Sequence, residues 1–430
     1  MDVVKIIAII GCFALAACAQ QKEASTVFPE KNTPQGSSCQ GTRMSDQFIV
    51  RWEDGHLSLE TDVDAESFSK NFIEPKIQEI KHVEFNKIIS IKKPVETENM
   101  DTESLSREDV ADDWGVSRIS AESVWAQNID GSGIVVAVVD AAVNYDHPQI
   151  APRLSKNDLE AQGKDSVDDD GNGRVDDIYG WDFDKDQAKP SPIKDPSEDH
   201  GTHVAGIILA EAVSDQKMRG IAPKARLIPV KFLSDDGSGD IFHAIQGIEY
   251  AVARKANIIN ASWGGSVCST DLKNTLAGLE AKNVLFVAAA GNGDDTYHIG
   301  IDYDKYPNSY TYPAVFNLST QITVAATSFT DYMTSFSNRS FSLVHIGAPG
   351  VDIASTAGNG IKKMTGTSMA APFVSGAAAL LWSAKPNAKA TQIKSALLNS
   401  AEVIADKELK VSSRGRLNVA KALEEIRRLV

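Results

Sequence analysis

Beyond about residue 112 the chain alternates two textures. Uninterrupted β-branched and apolar runs at 134–139, 227–230, 258–260, 284–287 and 322–324 read as strands with both faces buried. Between them, apolar positions recur at helical spacing over 203–211, 240–254 and 271–281. Alternation of this kind predicts an α/β fold, a mainly parallel sheet covered by helices on both faces. Reactive groups in such folds gather beyond the carboxyl ends of the strands. A last helical stretch, 373–382, is small and apolar almost throughout, as expected of a helix sunk into the core.

The first part of the chain reads differently. Residues 1–17 hold a short apolar run behind Lys5, too short to span a bilayer comfortably. It ends in Leu15-Ala16-Ala17-Cys18, which resembles a bacterial lipobox, with Cys18 the lipidated first residue of the mature protein. An ordinary secretory signal is the alternative. Residues 18–44 are polar, rich in Pro and Gly, and read as a tether. Residues 45–93 predict a small α+β unit: a strand at 47–52, a turn at 53–55, and a helix opening at Asp64 with Phe68, Phe72 and Ile73 on one side. Pro75 is expected to interrupt that helix, and two short strands, 83–85 and 88–91, follow. Residues 94–111 look like an acidic linker, and 112–430 form the main domain.

Composition narrows the function. In 430 residues, 42% hydrophobic and 23% charged, the net charge is −15, which argues against nucleic acid as a partner. Of four cysteines, Cys12 leaves with the signal and Cys18 carries lipid. Cys39 and Cys268 then either pair in an oxidising envelope or stay as free thiols.

Three stretches carry chemistry. Asp140 ends the run Val138-Val139-Asp140. His200-Gly201-Thr202-His203-Val204-Ala205-Gly206 puts a histidine near the mouth of a helix. Gly366-Thr367-Ser368-Met369-Ala370-Ala371-Pro372 puts a serine at the start of another, where backbone N–H groups point outward. A serine hydroxyl is a weak nucleophile without a base, and the base needs a carboxylate to fix its tautomer. These motifs and their order resemble the subtilisin-type serine endopeptidases, the subtilases, from about Trp114 to the C-terminus. The resemblance implies a three-layer subtilisin-like fold, with Ser368 as nucleophile, His203 as general base and Asp140 orienting it. Ala288-Ala289-Ala290-Gly291-Asn292 resembles the oxyanion stretch, with Asn292 as donor and Ala289 and Gly291 beside the substrate. Ser262-Trp263-Gly264-Gly265 resembles the segment that pairs with extended substrate. The chain departs from the family after Asp140, where Ala141-Ala142 replace the usual hydroxyl residue and glycine.

Between Asp140 and the histidines lies an insertion with six aspartates in thirteen residues, 165–177. Asp168, Asp170, Asn172 and Asp176 fall at positions 1, 3, 5 and 9 of a calcium loop, with Gly173 at position 6. No glutamate stands at position 12, so Asp177 or a distant group is expected to complete a structural Ca²⁺ site; the chemistry itself needs no cofactor. A solvated acidic loop is the bland alternative. Residues 45–93 resemble, in pattern only, the prodomain of subtilases, which blocks the cleft until cut. The expected protein is a serine endopeptidase anchored in the bacterial envelope by lipid on Cys18; a catalytically silent subtilase-fold peptide-binding or assembly module is the rival reading. Its expected partners are extended protein or peptide substrates and a membrane. Its expected place is the bacterial envelope, on the outer membrane or released after maturation. A cut in the acidic linker would part the enzyme from its lipid.

Overall fold

The computed structural model describes residues 22–29, 42–91, 112–188, 199–212, 218–294, 299–404 and 409–428. The signal segment, Cys18, Cys39 and the whole of the acidic linker lie outside the described residues. Two compact units divide the chain inside one strand, the first ending at Glu84 and the second taking up Phe85 onward with the short stretch before Ser45.

In the first unit, strands β1 (Arg43–Trp52) and β2 (Leu57–Thr61) form an antiparallel hairpin. Gly55 turns it with φ +92°, a conformation that favours glycine. Asp64 caps the following helix by accepting from Ser67 N at 2.8 Å. Pro75 does not stop this helix. The chain takes a wide turn over Ser69–Ile73 and stays helical through Lys76, because Pro75 stands at the start of a fresh turn, where its missing N–H costs nothing. The Phe68 ring stacks on Phe48 at 4.1 Å between centroids. Residues 24–28, read as tether, fold back instead: Ala24–Val27 is a helical turn, and Phe28 is fully buried edge-on to Phe48. The two short strands expected at 83–85 and 88–91 are one, β3 (Ile80–Ser90).

The second unit holds a seven-stranded parallel sheet. Its strands are β4 (Val135–Asp140), β5 (Trp181–Asp182), β6 (Arg226–Lys231), β8 (Ile258–Ala261), β9 (Leu285–Ala289), β10 (Gln321–Thr327) and β11 (Ile346–Pro349). The order across the sheet is β11-β10-β9-β8-β4-β6-β5. On one side the chain runs outward from β4 through β8, β9, β10 and β11; on the other it goes first to the edge strand β5 and returns to β6, so β4 lies between strands filled from opposite directions and its carboxyl end is where a crevice forms. A short strand, β7 (Ser238–Asp240), and a hairpin of β12 (Ile353–Ala357) and β13 (Gly360–Met364) stand apart from this sheet.

Helices cover both faces, as the continuous apolar runs require. Val136 and Val138 enter one core with residues of α1 (Asp199–Leu209) and α4 (Thr367–Ala384). Val139 faces the other way, toward α2 (Ile241–Ala253). There Gly247 has no Cβ, and one built on it would lie 3.0 Å from Val230 and 3.4 Å from Val139. A third helix, α3 (Thr270–Ala277), packs on α2. The helices α1 and α4, which carry the histidines and the serine, pack directly on one another.

Candidate active site

Asp140 is the last residue of β4 and is fully buried. Its Oδ1 accepts from its neighbour's backbone, Ala141 N, at 2.7 Å and stands 2.7 Å from Nδ1 of His200. The Ala141-Ala142 departure therefore leaves the carboxylate well held, since a backbone N–H anchors it. Gly201 explains the close approach. A Cβ there would lie 2.6 Å from the Ala141 carbonyl oxygen and 2.7 Å from that of Ala142. The first turn of α1 can press onto the loop after β4 only because residue 201 is glycine.

The histidine that meets Asp140 is thus His200, and the assignment of His203 as base is corrected. Residues three apart on a helix lie about 60° apart and 4.5 Å along the axis. His203 consequently points elsewhere, with Nε2 at 2.9 Å from the Ile353 carbonyl and 3.0 Å from the Lys362 carbonyl. Carbonyls only accept, so the His203 proton sits on Nε2. Burial pushes its pKa down to about 3, against the two carbonyls that favour the proton. The other ring works the opposite way. Nδ1 of His200 donates to Asp140, which leaves Nε2 as the lone-pair nitrogen, buried and without a hydrogen-bond partner among the described residues.

Ser368 is the second residue of α4, behind Gly366. Its Oγ donates to the Ser262 carbonyl at 3.1 Å. Ser262 Oγ in turn donates to the Ser368 carbonyl at 2.9 Å, and Asn260 Nδ2 donates to Ser262 Oγ at 3.0 Å. Ser375, two turns down α4, closes the network by donating to Asn260 Oδ1 at 2.8 Å. The helix start and the end of β8 are locked together by side chains that are all buried.

Asn292 follows β9. Its Oδ1 accepts from Thr367 N at 2.9 Å and Thr367 Oγ1 at 2.7 Å, which fixes the amide. Nδ2 is left as donor, 3.2 Å from where a Gly366 Cβ would stand, so a side chain at 366 would crowd it. Gly291 takes φ +103° and donates to Thr367 Oγ1 at 3.1 Å. Asp140, Ser262 and Asn292 thus stand at the ends of three adjacent strands, β4, β8 and β9. The sequence pattern of the Subtilase family (Peptidase S8) matches residues 131–421. The chain belongs to the subtilase family.

Relatives agree on the enzyme class. The chain is 37% identical over 269 residues to the major intracellular serine protease of Bacillus subtilis, covering 62% of this chain and 74% of that protein. It is 33% identical over 312 residues to thermitase of Thermoactinomyces vulgaris, covering 72% of this chain and 95% of thermitase. Its fold matches fervidolysin of Fervidobacterium pennivorans, a keratinolytic enzyme related to subtilisin, with a TM-score of 0.68 at 23% identity, over 91% of this chain and 64% of that one. This subtilase is a serine endopeptidase of the subtilisin type.

The expected substrate wall lies where backbone is bare. Gly265 exchanges backbone hydrogen bonds with Tyr312, at 2.9 and 2.7 Å, and a Cβ on Gly264 would lie 2.9 Å from the Thr311 side chain. Trp263 is not part of that wall's surface. It is buried, donates from its indole to the Val139 carbonyl at 2.7 Å, and packs edge-on to Phe232. Ala289 is the last residue of β9 and is buried beside these elements.

The acidic insertion is organised around a residue that the spacing did not single out, Glu160. It is buried, and its carboxylate accepts from the backbone N–H groups of Asp169, Asp170 and Asp176. Among the described residues, carboxylate oxygens of Glu160, Asp168 and Asp170 lie within 4.8 Å of one another. Burial pushes Asp168 up, but the N–H groups of Gly173, Asn172 and Gly171 outweigh it and hold its pKa below the usual range. Two expected ligands are corrected. Asp177 is fully buried and committed to Arg254 at 2.9 Å, Tyr250 at 2.5 Å and Asn157 at 2.8 Å, so its charge is already matched. Asp176 turns its carboxylate to Ser166 N, at 3.0 Å. Asn172 stays in the loop, with Nδ2 on Asp170 Oδ2 at 3.0 Å.

Proposed function

We propose that Ser368, His200 and Asp140 hydrolyse peptide bonds in extended chains through an acyl-enzyme. His200 Nε2 takes the Ser368 proton as Oγ bonds to the substrate carbonyl carbon. Asn292 Nδ2 donates to the oxyanion. His200 then protonates the leaving amine, and water hydrolyses the ester. Asp140 keeps the His200 proton on Nδ1 and stabilises the imidazolium. The observation that carries this reading is the 2.7 Å contact of Asp140 with Nδ1 of His200, together with the unpartnered Nε2. A fluorophosphonate probe is expected to label the wild type on Ser368 and to leave Ser368→Ala unlabelled. Failure to label the wild type would favour a silent peptide-binding scaffold.

The acidic loop is read as a structural Ca²⁺ site. Glu160, Asp168 and Asp170 fit it, as hard oxygen donors already converging on one point. The ion would neutralise the loop, and the triad chemistry takes place without it. Cys18 is read as a lipid attachment that holds the enzyme in the bacterial envelope, facing protein substrates there. Mass spectrometry of the N-terminal peptide tests this, and an unmodified Cys18 in envelope-derived protein would refute it. The unit that ends in β3 is read as a prodomain, because the end of β3 lies along the expected substrate wall at Gly264.

A further inference from the structure

Asn292 stands between two glycines, and both take positive φ, +103° at Gly291 and +79° at Gly293. Glycine adopts many conformations at little steric cost, so a segment built this way does not hold its own shape. An oxyanion donor works only if it is aimed before the charge develops. Thr367 fixes the Asn292 amide, but the backbone that carries Asn292 needs a separate hold.

Asn338 supplies it. This residue is fully buried on the connection from β10 to β11. Its backbone N–H donates to the Gly291 carbonyl at 2.9 Å. Its Nδ2 donates to the Ala290 carbonyl at 3.0 Å and to the Tyr303 hydroxyl at 2.7 Å. Its Oδ1 accepts from Gly293 N at 3.0 Å and from Ile301 N at 2.8 Å. Carbonyls only accept and backbone N–H groups only donate, so these partners allow one orientation of the side-chain amide. The contacts fall on residues 290 and 291 before Asn292 and on residue 293 after it.

The clamp is itself anchored. Ser337 Oγ accepts from Ala326 N of β10 at 3.0 Å and donates to the Asn338 carbonyl at 3.1 Å. On the other side, Arg339 N donates to the Ile301 carbonyl at 2.9 Å. Tyr303 is buried, and its hydroxyl donates to the Ala290 carbonyl at 2.7 Å, so that carbonyl has two donors. Gly291 is matched to the clamp, because a Cβ there would lie 2.4 Å from Asn338 Nδ2. The glycine that loosens the segment is also what admits the amide that tightens it.

We propose that Asn338 is a positioning residue for the oxyanion donor, holding the backbone on both sides of Asn292 so that its Nδ2 is aimed in advance. Tyr303 supports the same hold through the Ala290 carbonyl. This rests on the peptidase reading above, in which Asn292 donates to the oxyanion. Neither Asn338 nor Tyr303 acts on the substrate directly, so their loss falls on the transition state and leaves substrate binding alone.

The test is a double-mutant cycle on the full chain. Peptide hydrolysis and thermal melting are measured for the wild type, Asn338→Ala, Asn292→Ala and the pair. Asn338→Ala is expected to lower kcat about 10- to 100-fold with KM within about twofold, as displacing a donor by about 1 Å would. In the Asn292→Ala background no aimed donor remains to lose, so the same substitution should change kcat by less than about twofold. A peptide aldehyde, which forms a tetrahedral adduct carrying an oxyanion, should bind Asn338→Ala more weakly by the factor that kcat falls. Tyr303→Phe keeps the ring in the core and should lower kcat about three- to tenfold, again only while Asn292 is present. It decides the matter if Asn338→Ala does not fold. An equal fall in kcat with and without Asn292 overturns the inference, since a merely structural part would act in both backgrounds. An unchanged kcat, or a rise in KM alone, also overturns it. A wild type that turns over, in a cycle that shows no coupling, sinks this inference alone. A wild type that neither turns over nor takes a fluorophosphonate label sinks the peptidase reading.

Discussion

Helix α1 carries two histidines one turn apart, and their surroundings make them different kinds of group. His200 presents Nδ1–H to a carboxylate, so its other nitrogen keeps a lone pair that an approaching hydroxyl can use. His203 presents Nε2–H to two carbonyls of the β12–β13 hairpin and leaves Nδ1 shut in the core. One ring is oriented by a charge that will stabilise its cation. The other is oriented by carbonyl dipoles, in a dry pocket whose burial opposes a cation more than the carbonyls favour it. A base is made by its partner as much as by its ring, and residue type alone does not reveal which partner a side chain will find.

The sharpest way to break this comparison is to remove each ring in turn. His200→Ala is expected to lower kcat by at least about 10⁴-fold while leaving the fold intact, read by peptide hydrolysis and thermal melting. His203→Ala is expected to keep kcat within a few-fold and to lose about 1–3 kcal/mol of stability, from the two carbonyls left unpaired and the space left empty. If His203→Ala abolished turnover in a folded enzyme, the assignment would be reversed.

Next in size is Asn292→Ala, expected to lower kcat by about 10²- to 10³-fold with little change in KM, since its Nδ2 is kept for the oxyanion. An unchanged kcat would take Asn292 out of the transition state. A smaller effect separates the histidines by pH. Burial pushes His203 down to about 3, and burial does the same to His345. Unfolded, both titrate near 6.5. Below that pH the unfolded chain binds protons the native state refuses, so their contribution is fully present above about pH 6.5 and is lost as pH falls toward 3. Urea midpoints measured across that window should fall with pH, and less steeply in His203→Gln. The smallest effect is expected from chelation, a drop of a few degrees in Tm with the active-site geometry unchanged. A chelator that left Tm unmoved would reduce the acidic loop to a solvated turn.

Much of this was legible along the chain. The β-branched runs announced a parallel sheet buried on both faces because such strands must be apolar on both sides. Ser368 and Asp140 were legible because each sits at the end of an element, in a local stretch that the pattern along the chain marks out. The His-Gly-Thr-His stretch announced a base, but the expectation fell on His203 where the structure brings His200 to Asp140, since both histidines sit near the same helix mouth. The one local clue was Gly201, whose missing Cβ lets the first turn press onto the Asp140 loop. The acidic insertion shows the same divide. The alternation of Asp168, Asp170 and Asn172 is local, but Glu160 joins them from an earlier helix, and Asp177 leaves them for Arg254, 77 residues away in the chain.

The sequence by itself determined which residues fold into strands and helices, and which chemical groups stand at their ends, because those depend on periodicity and on neighbours in the chain. Only the tertiary structure decided which imidazole faces the carboxylate and which aspartates stay free to bind a cation. Each of these choices is made by a partner distant in sequence, and a hydrogen bond's direction is set in space rather than along the chain.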